Sequence, residues 1–144
     1  MKFLISACIL GVPCRYDGKS KPSEQIEELM LRHTLIPICP ETAGGLPTPR
    51  TPCEIVGAKV ISKNGEDRTL QYMNGAKKCL ELFKKEGCDG VILKTKSPSC
   101  GKGLVYDGSF GGTLTSGDGI TAKLFKFYGI KIYTEEDIPL LLNR

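Results

Sequence analysis

Three cysteines stand where thiol chemistry is easiest to build. They are Cys8 in Cys8-Ile-Leu-Gly-Val-Pro-Cys14-Arg-Tyr-Asp-Gly, Cys39 in Cys39-Pro-Glu41, and Cys100 in Ser97-Pro-Ser-Cys100-Gly. Each follows a short hydrophobic run and lies next to Gly or Pro, so each is expected in a loop at the carboxyl end of a strand. In an open parallel sheet those ends face one crevice, which would gather three thiols that are far apart in the chain. Soft thiolates select zinc, copper(I) or iron–sulfur clusters. Structural zinc usually takes close Cys-x-x-Cys pairs, and none is present. Three dispersed thiolates suit a cluster held within a fold. A cubane 4Fe–4S cluster so held keeps one iron open and acts as a Lewis acid. Three buried packing thiols account for the spacing equally well, because cysteine is a good core residue.

The scaffold follows from the runs between these motifs. Residues 3–7, 35–38, 90–93 and 130–133 read as short buried strands, the first three leading directly into Cys8, Cys39 and the Ser97–Gly101 segment. Pro22-Ser23-Glu24 reads as a helix start capped by Ser23, with Ile26, Leu29, Met30 and His33 on one face. Leu70, Met73, Ala76, Leu80 and Phe83 recur at helical spacing up to Gly87. Further helices are expected near 120–128 and from Thr134-Glu135-Glu136-Asp137 onward. Residues 40–52 read as a loop dense in Gly and Pro. The runs 54–62 and 67–70 flank Lys63-Asn64-Gly65-Glu66, whose Asn-Gly is a hairpin signal. The alternation predicts an α/β fold: a single compact domain, residues 1–144, with a mostly parallel sheet flanked by helices, Rossmann-like, and one small hairpin insertion.

At 144 residues the chain is long enough to bury about 70% of its unfolded surface without a disulfide or metal merely to hold the core. Its 40% hydrophobic and 25% charged residues are ordinary for a globular protein. A net charge of +4 fits an anionic small ligand and is only a weak pointer to nucleic acid. No apolar run approaches the roughly 20 residues of a membrane span. The apolar start breaks at Gly11 and Pro13, so it reads as the first strand of a cytoplasmic protein rather than a signal segment. Seven cysteines is an odd number, and cytosolic thiols stay reduced, so metal ligation or thiol chemistry outranks a disulfide framework. With one histidine, His33 at a helix end, a His-rich metal site or a Ser-His-Asp triad has little to stand on.

Taken in order, Cys8-Ile-Leu-Gly…Cys14-Arg-Tyr-Asp-Gly, Cys39-Pro-Glu41…Gly-Gly-Leu-Pro-Thr-Pro-Arg50 and Lys96-Ser-Pro-Ser-Cys100-Gly resemble the bacterial thiouracil desulfurase (desulfidase) family, over essentially the whole chain. The resemblance implies a 4Fe–4S cluster held by Cys8, Cys39 and Cys100, and chemical roles for Glu41 and Ser97. It implies removal of sulfur from a thiolated uracil as sulfide, without net redox change. The substrate class is then a thiolated pyrimidine base or nucleoside, 2-thio or 4-thio, with nucleic acid entering only as thiolated tRNA or its fragments. The chemistry is coherent: a thiocarbonyl is soft, so soft iron binds its sulfur and polarises the carbon towards water. Glu41, two residues from a ligand, would deprotonate that water. Ser97 would donate a hydrogen bond to the ring or relay a proton. Taken singly, Glu41 also reads as a helix-cap or surface carboxylate and Ser97 as a turn hydroxyl, with Ser99 the rival hydroxyl.

Arg15 reads as a partner of Asp17 or a counter-charge to an anionic cluster, and Arg50 as a loop anchor. Lys94, Lys96 and Lys102 bracket Cys100 and would lower thiolate pKa values if they point inward. Cys14 and Cys53 read as alternative ligands, oxidation-prone neighbours or bystanders, and Cys79 and Cys88 as packing residues. The glycine-rich run 108–119 lacks a phosphate-loop pattern and reads as a surface loop, a pocket lining or a lid. Two other classes stay open: a thiol-redox protein cycling a disulfide such as Cys8 with Cys14, and a zinc-stabilised RNA-interaction domain.

Overall fold

The computed structural model describes residues 1–18 and 25–143. Strand β1 (Lys2–Ser6) runs into a 3-10 turn, Ala7–Leu10, and α1 (Ile26–Arg32) precedes β2 (Thr34–Ile38). Then come α2 (Pro40–Ala43), β3 (Cys53–Val56), β4 (Lys59–Ser62), α3 (Thr69–Glu86) and β5 (Gly90–Leu93). Strands β6 (Leu104–Tyr106) and β7 (Leu114–Ser116) are followed by α4 (Ile120–Phe127), β8 (Ile132–Thr134), a 3-10 turn at Glu135–Asp137 and α5 (Ile138–Leu142). The central sheet has the order β2-β1-β5-β8 and every pairing is parallel. The expected α/β architecture, a mostly parallel sheet flanked by helices, is therefore the one observed.

Side-chain alternation along the strands divides the core. Phe3, Ile5 and Ile92 pack with Leu29 of α1 and Ile138 and Leu141 of α5. Leu4, Val91 and Leu93 point the other way, onto Cys79 and Leu80 of α3 and Ala122 and Phe125 of α4. Each fully buried aliphatic side chain contributes roughly 1.5–3 kcal/mol. Because β1 lies between β2 and β5, the chain leaves it in opposite directions. That reversal opens a crevice at the carboxyl ends of the three strands.

Several local expectations are revised. The helix start expected at 22–24 lies outside the described residues. In α1, Leu29 is buried but Met30 is exposed. The stretch 40–52 is not all loop: Pro40 opens a single helical turn, where proline's fixed φ is pre-organised and its missing N–H is no loss. The hairpin reverses at Gly57 (φ 62°), which supplies the left-handed conformation, and not at Asn64-Gly65. The 63–66 turn only returns the chain to one bridge between Ile61 and Asp67. There Asp67 Oδ1 accepts the Thr69 amide at 2.9 Å and helps start α3. The run 108–119 contains β7, paired antiparallel with β6.

The buried face of α3 also differs from the expected one. Leu70 and Met73 are exposed, whereas Tyr72, Gly75, Ala76, Cys79 and Leu80 are buried. The cause is a glycine contact. A Cβ on Gly75 would fall 1.8 Å from the Pro40 carbonyl oxygen, and one on Gly44 would fall 2.0 Å from the Gln71 carbonyl oxygen. Only two glycines let α2 and α3 approach this closely, and that contact fixes the rotation of α3 so that Tyr72 faces Glu41.

Candidate active site

A cavity of about 640 Å³ opens at the carboxyl ends of β1, β2 and β5. Cys8, Cys39 and Cys100 all line it, as do Glu41 and Ser97. Cys8 lies in the 3-10 turn after β1 rather than in an open loop. Cys39 is the residue before Pro40, and Cys100 follows the turn beyond β5. The Cys14 thiol and burial together raise the Cys39 thiol well above its usual range, and burial does the same to Cys100. Two hydroxyls reach these sulfurs: Ser6 Oγ lies 3.3 Å from Cys100 Sγ, and Thr42 Oγ1 lies 3.1 Å from Cys39 Sγ. Three thiols facing one cavity, two of them buried, are a donor set suited to a soft, multi-iron group that needs thiolates. No group of three or more His, Cys, Asp or Glu side chains among the described residues is gathered for a single metal ion.

Glu41 is held from two sides. Its Oε1 accepts from Arg50 Nε at 3.0 Å and from the Tyr72 hydroxyl at 2.8 Å. Arg50 is the expected loop anchor, and more: its Nη1 donates to the Pro47 carbonyl at 3.0 Å and its Nη2 to the Cys14 carbonyl at 2.9 Å. One guanidinium therefore ties the Cys14 loop to the Glu41 helix. Burial, then the Glu41 charge, pushes the Tyr72 phenol far above its usual range, so it stays a donor. No hydrogen bond reaches Glu41 Oε2 among the described residues. No buried side-chain oxygen among them lacks a partner, so this free oxygen is open to the cavity.

Ser97 Oγ accepts the amides of Ser99 and Cys100, both at 3.1 Å. This is the turn role the sequence allowed. With its acceptor capacity so engaged, the hydroxyl hydrogen is what it has left to offer the cavity. Ser99 is fully buried against Thr121, at 2.9 Å, and does not line the cavity. Arg15 and Tyr16 line the cavity. Lys94 pairs with Glu135, and Lys102 donates to the Ile132 carbonyl at 3.0 Å. The Cys14 thiol lies near those of Cys39 and Cys8, and Cys39 Sγ lies 3.8 Å from the Cys14 carbonyl. Cys53 is buried in the cluster that holds Tyr72, its sulfur 3.8 Å from the Thr51 carbonyl, and burial raises its thiol. Cys79 packs beneath Cys100 in the core, where burial lifts its thiol to about 12.

The sequence reading missed Tyr72, Ser6, Thr42 and the Lys94–Glu135 pair. The signal for Tyr72 was Gly75, three residues on, which marks the face pressed against α2. For Ser6 it was a polar residue closing an otherwise apolar strand. The 108–119 run covers one side: Glu54 Oε1 accepts the Gly108 and Phe110 amides at 2.9 and 3.2 Å, and Phe110 lines the cavity.

Fold and site together define a small α/β protein with a thiol-lined pocket at a topological switch point. The family model for 2-thiouracil desulfurase matches residues 3–137. The uncharacterized protein YbbK of Bacillus subtilis (strain 168) is 41% identical over 149 residues, covering 96% of this chain and 99% of its own length. The solved structure of the 4Fe–4S-dependent thiouracil desulfidase TudS aligns with a TM-score of 0.91 at 42% identity, covering 97% of this chain and 94% of that one. The chain belongs to the 2-thiouracil desulfurase family. Among the described residues no helix is long and apolar enough to cross a membrane.

Proposed function

We propose that this protein is a thiouracil desulfidase that removes sulfur from a thiolated pyrimidine without net redox change, within one domain spanning residues 1–144. One observation carries the reading: three cysteines from three neighbouring strand ends share a cavity with a carboxylate that keeps one oxygen free. Cys8, Cys39 and Cys100 would hold a 4Fe–4S cluster, the cofactor on which the solved relative depends. When bound, such a cluster supplies a Lewis-acidic iron to the soft sulfur of a thiocarbonyl.

The chain's own residues do the rest. Glu41, pinned through Oε1, presents Oε2 to take a proton from water entering the cavity. Ser97, already accepting two amides, serves as a donor to the pyrimidine ring or to the departing sulfur. Phe110 and Tyr106 border the cavity and offer apolar faces to a flat ring. The proposed substrates are 2-thio or 4-thio bases and nucleosides, with thiolated tRNA as the largest, in a reducing compartment such as the cytoplasm.

The nearness of Cys14 to Cys8 and Cys39 favours a second reading, a thiol-redox protein cycling a disulfide among them. Anaerobic loading with iron and sulfide separates the two. A brown protein with about four irons that releases sulfide from thiouracil only when loaded supports the desulfidase. Cys39→Ser should then lose both cluster and turnover while keeping its fold. A wild-type protein that takes up no iron overturns the reading and leaves the redox alternative.

A further inference from the structure

The hydroxyl of Ser6 is placed with unusual economy. This residue closes β1, is 3% exposed and follows Phe3, Leu4 and Ile5, all buried. A serine in such a place costs free energy unless both its donor and its acceptor find partners. The acceptor side is settled: Ser6 Oγ accepts the Lys94 amide at 3.0 Å, just past the end of β5. A peptide N–H can only donate, so the hydroxyl keeps its single hydrogen for another partner. Cys100 Sγ, 3.3 Å away and 5% exposed, receives it. Thr42 repeats the relation at Cys39, 3.1 Å away, but from the protein surface. Among the described residues no hydroxyl donates to the Cys8 sulfur.

We propose that Ser6 is a positioning residue for the cluster: its hydroxyl donates to the Cys100 sulfur, withdraws electron density from that ligand and so makes the bound iron more acidic. The inference rests on the desulfidase reading above. A hydrogen bond to a ligand sulfur favours the more negative, reduced cluster and so raises its reduction potential. It also weakens electron donation by that thiolate, and a more electron-poor cluster polarises a thiocarbonyl harder. Thr42 acts in the same direction on Cys39 with a smaller effect, because water shares its hydroxyl.

Wild type, Ser6→Ala, Ser6→Thr and Thr42→Val are loaded anaerobically. They are compared by iron content, midpoint potential and the resonance Raman bands of the iron–cysteine bonds. Ser6→Ala is expected to load fully, shift its potential to more negative values and move one iron–cysteine band to higher frequency. Ser6→Thr restores both signals, and Thr42→Val shows a smaller shift of the same sign. A loaded Ser6→Ala protein with wild-type potential and bands overturns the inference and leaves the desulfidase reading standing. Should Ser6→Ala fail to fold or load, an unchanged potential in Thr42→Val overturns it instead. A wild-type protein that takes up no iron overturns both together.

Discussion

Of the four carboxylates that border the cavity, Glu41 and Glu135 each pair with a cation, and they are bonded differently. Glu135 uses both oxygens: Oε1 accepts the Thr95 amide at 2.9 Å, and Oε2 accepts the Thr95 hydroxyl at 3.0 Å and the Lys94 ammonium. Glu41 loads two donors onto Oε1 and leaves Oε2 open. The side chains are equally secluded, 14% exposed for Glu135 and 15% for Glu41, so burial does not separate them. The number of free lone pairs does. A saturated carboxylate is a strut between the β5 loop and the turn after β8, whereas a half-saturated one is held still and can accept a proton.

The sharpest way to break this contrast is to neutralise each acid in turn. Glu41→Gln should lower sulfide release by roughly 10²–10⁴-fold, the usual scale for losing a general base, with iron content unchanged. Glu135→Gln should keep most of its turnover per bound cluster. Equal losses in the two variants would erase the distinction.

Stability should fall in both variants, since each leaves a secluded cation without its counter-charge, Arg50 beside Glu41 and Lys94 beside Glu135. Glu135→Gln leaves the Lys94 ammonium part-buried without its counter-charge. Complete burial of such an orphan costs about 3–5 kcal/mol; with the remaining solvent contact, we expect roughly 1–3 kcal/mol by chemical denaturation of the unloaded protein. The effect is pH-dependent, and its sign follows from the shift. Burial raises the Glu135 pKa, but the Lys94 and Thr95 bonds outweigh it, so the folded value lies below the unfolded one. The stabilisation is therefore full above the unfolded value of about 4.3 and is lost as pH falls through the folded value. Wild type and Glu135→Gln should differ at pH 7 and converge in acid. A constant gap down to pH 2 would mean that the charge is not what stabilises the strut.

How much of this was legible beforehand depended on whether the signal was local. The thiols were, because each follows an apolar run and borders a Gly or Pro, and strand ends in a parallel sheet share one edge. Glu41 was singled out by the resemblance that the Cys39-Pro-Glu41 motif carries, since taken alone it reads as well as a helix-cap or surface carboxylate. The donors that hold it were not. Tyr72 was hidden because Leu70, Met73 and Ala76 form as good a helical stripe as Tyr72, Ala76 and Cys79. Only the contact between Gly44 and Gly75, remote in sequence, decides between them. Glu135 looked like any acidic residue at a helix start, since its partners Lys94 and Thr95 arrive from β5. The hairpin was misplaced for the same kind of reason: Asn64-Gly65 is the stronger local turn signal, but Gly57 is where β3 and β4 find register.

The smallest and finest comparison removes one hydroxyl from each carboxylate. Tyr72→Phe deletes a donor to Glu41 Oε1 and leaves Arg50 at 3.0 Å as the remaining hold. A hydrogen bond to a charged group contributes about 1.5–3 kcal/mol, but Arg50 keeps the carboxylate roughly in place. The expected loss is therefore about tenfold in turnover, the low end of that range, with little change in KM. Thr95→Val deletes the hydroxyl donor to Glu135 Oε2 and leaves the Thr95 amide and Lys94 in place. Its loss should fall on unfolding free energy, about 1 kcal/mol, and only slightly on turnover. If Tyr72→Phe lowers stability alone while Thr95→Val lowers turnover, the two carboxylates have been assigned the wrong way round, and Glu135 becomes the group to place beside the reacting carbon.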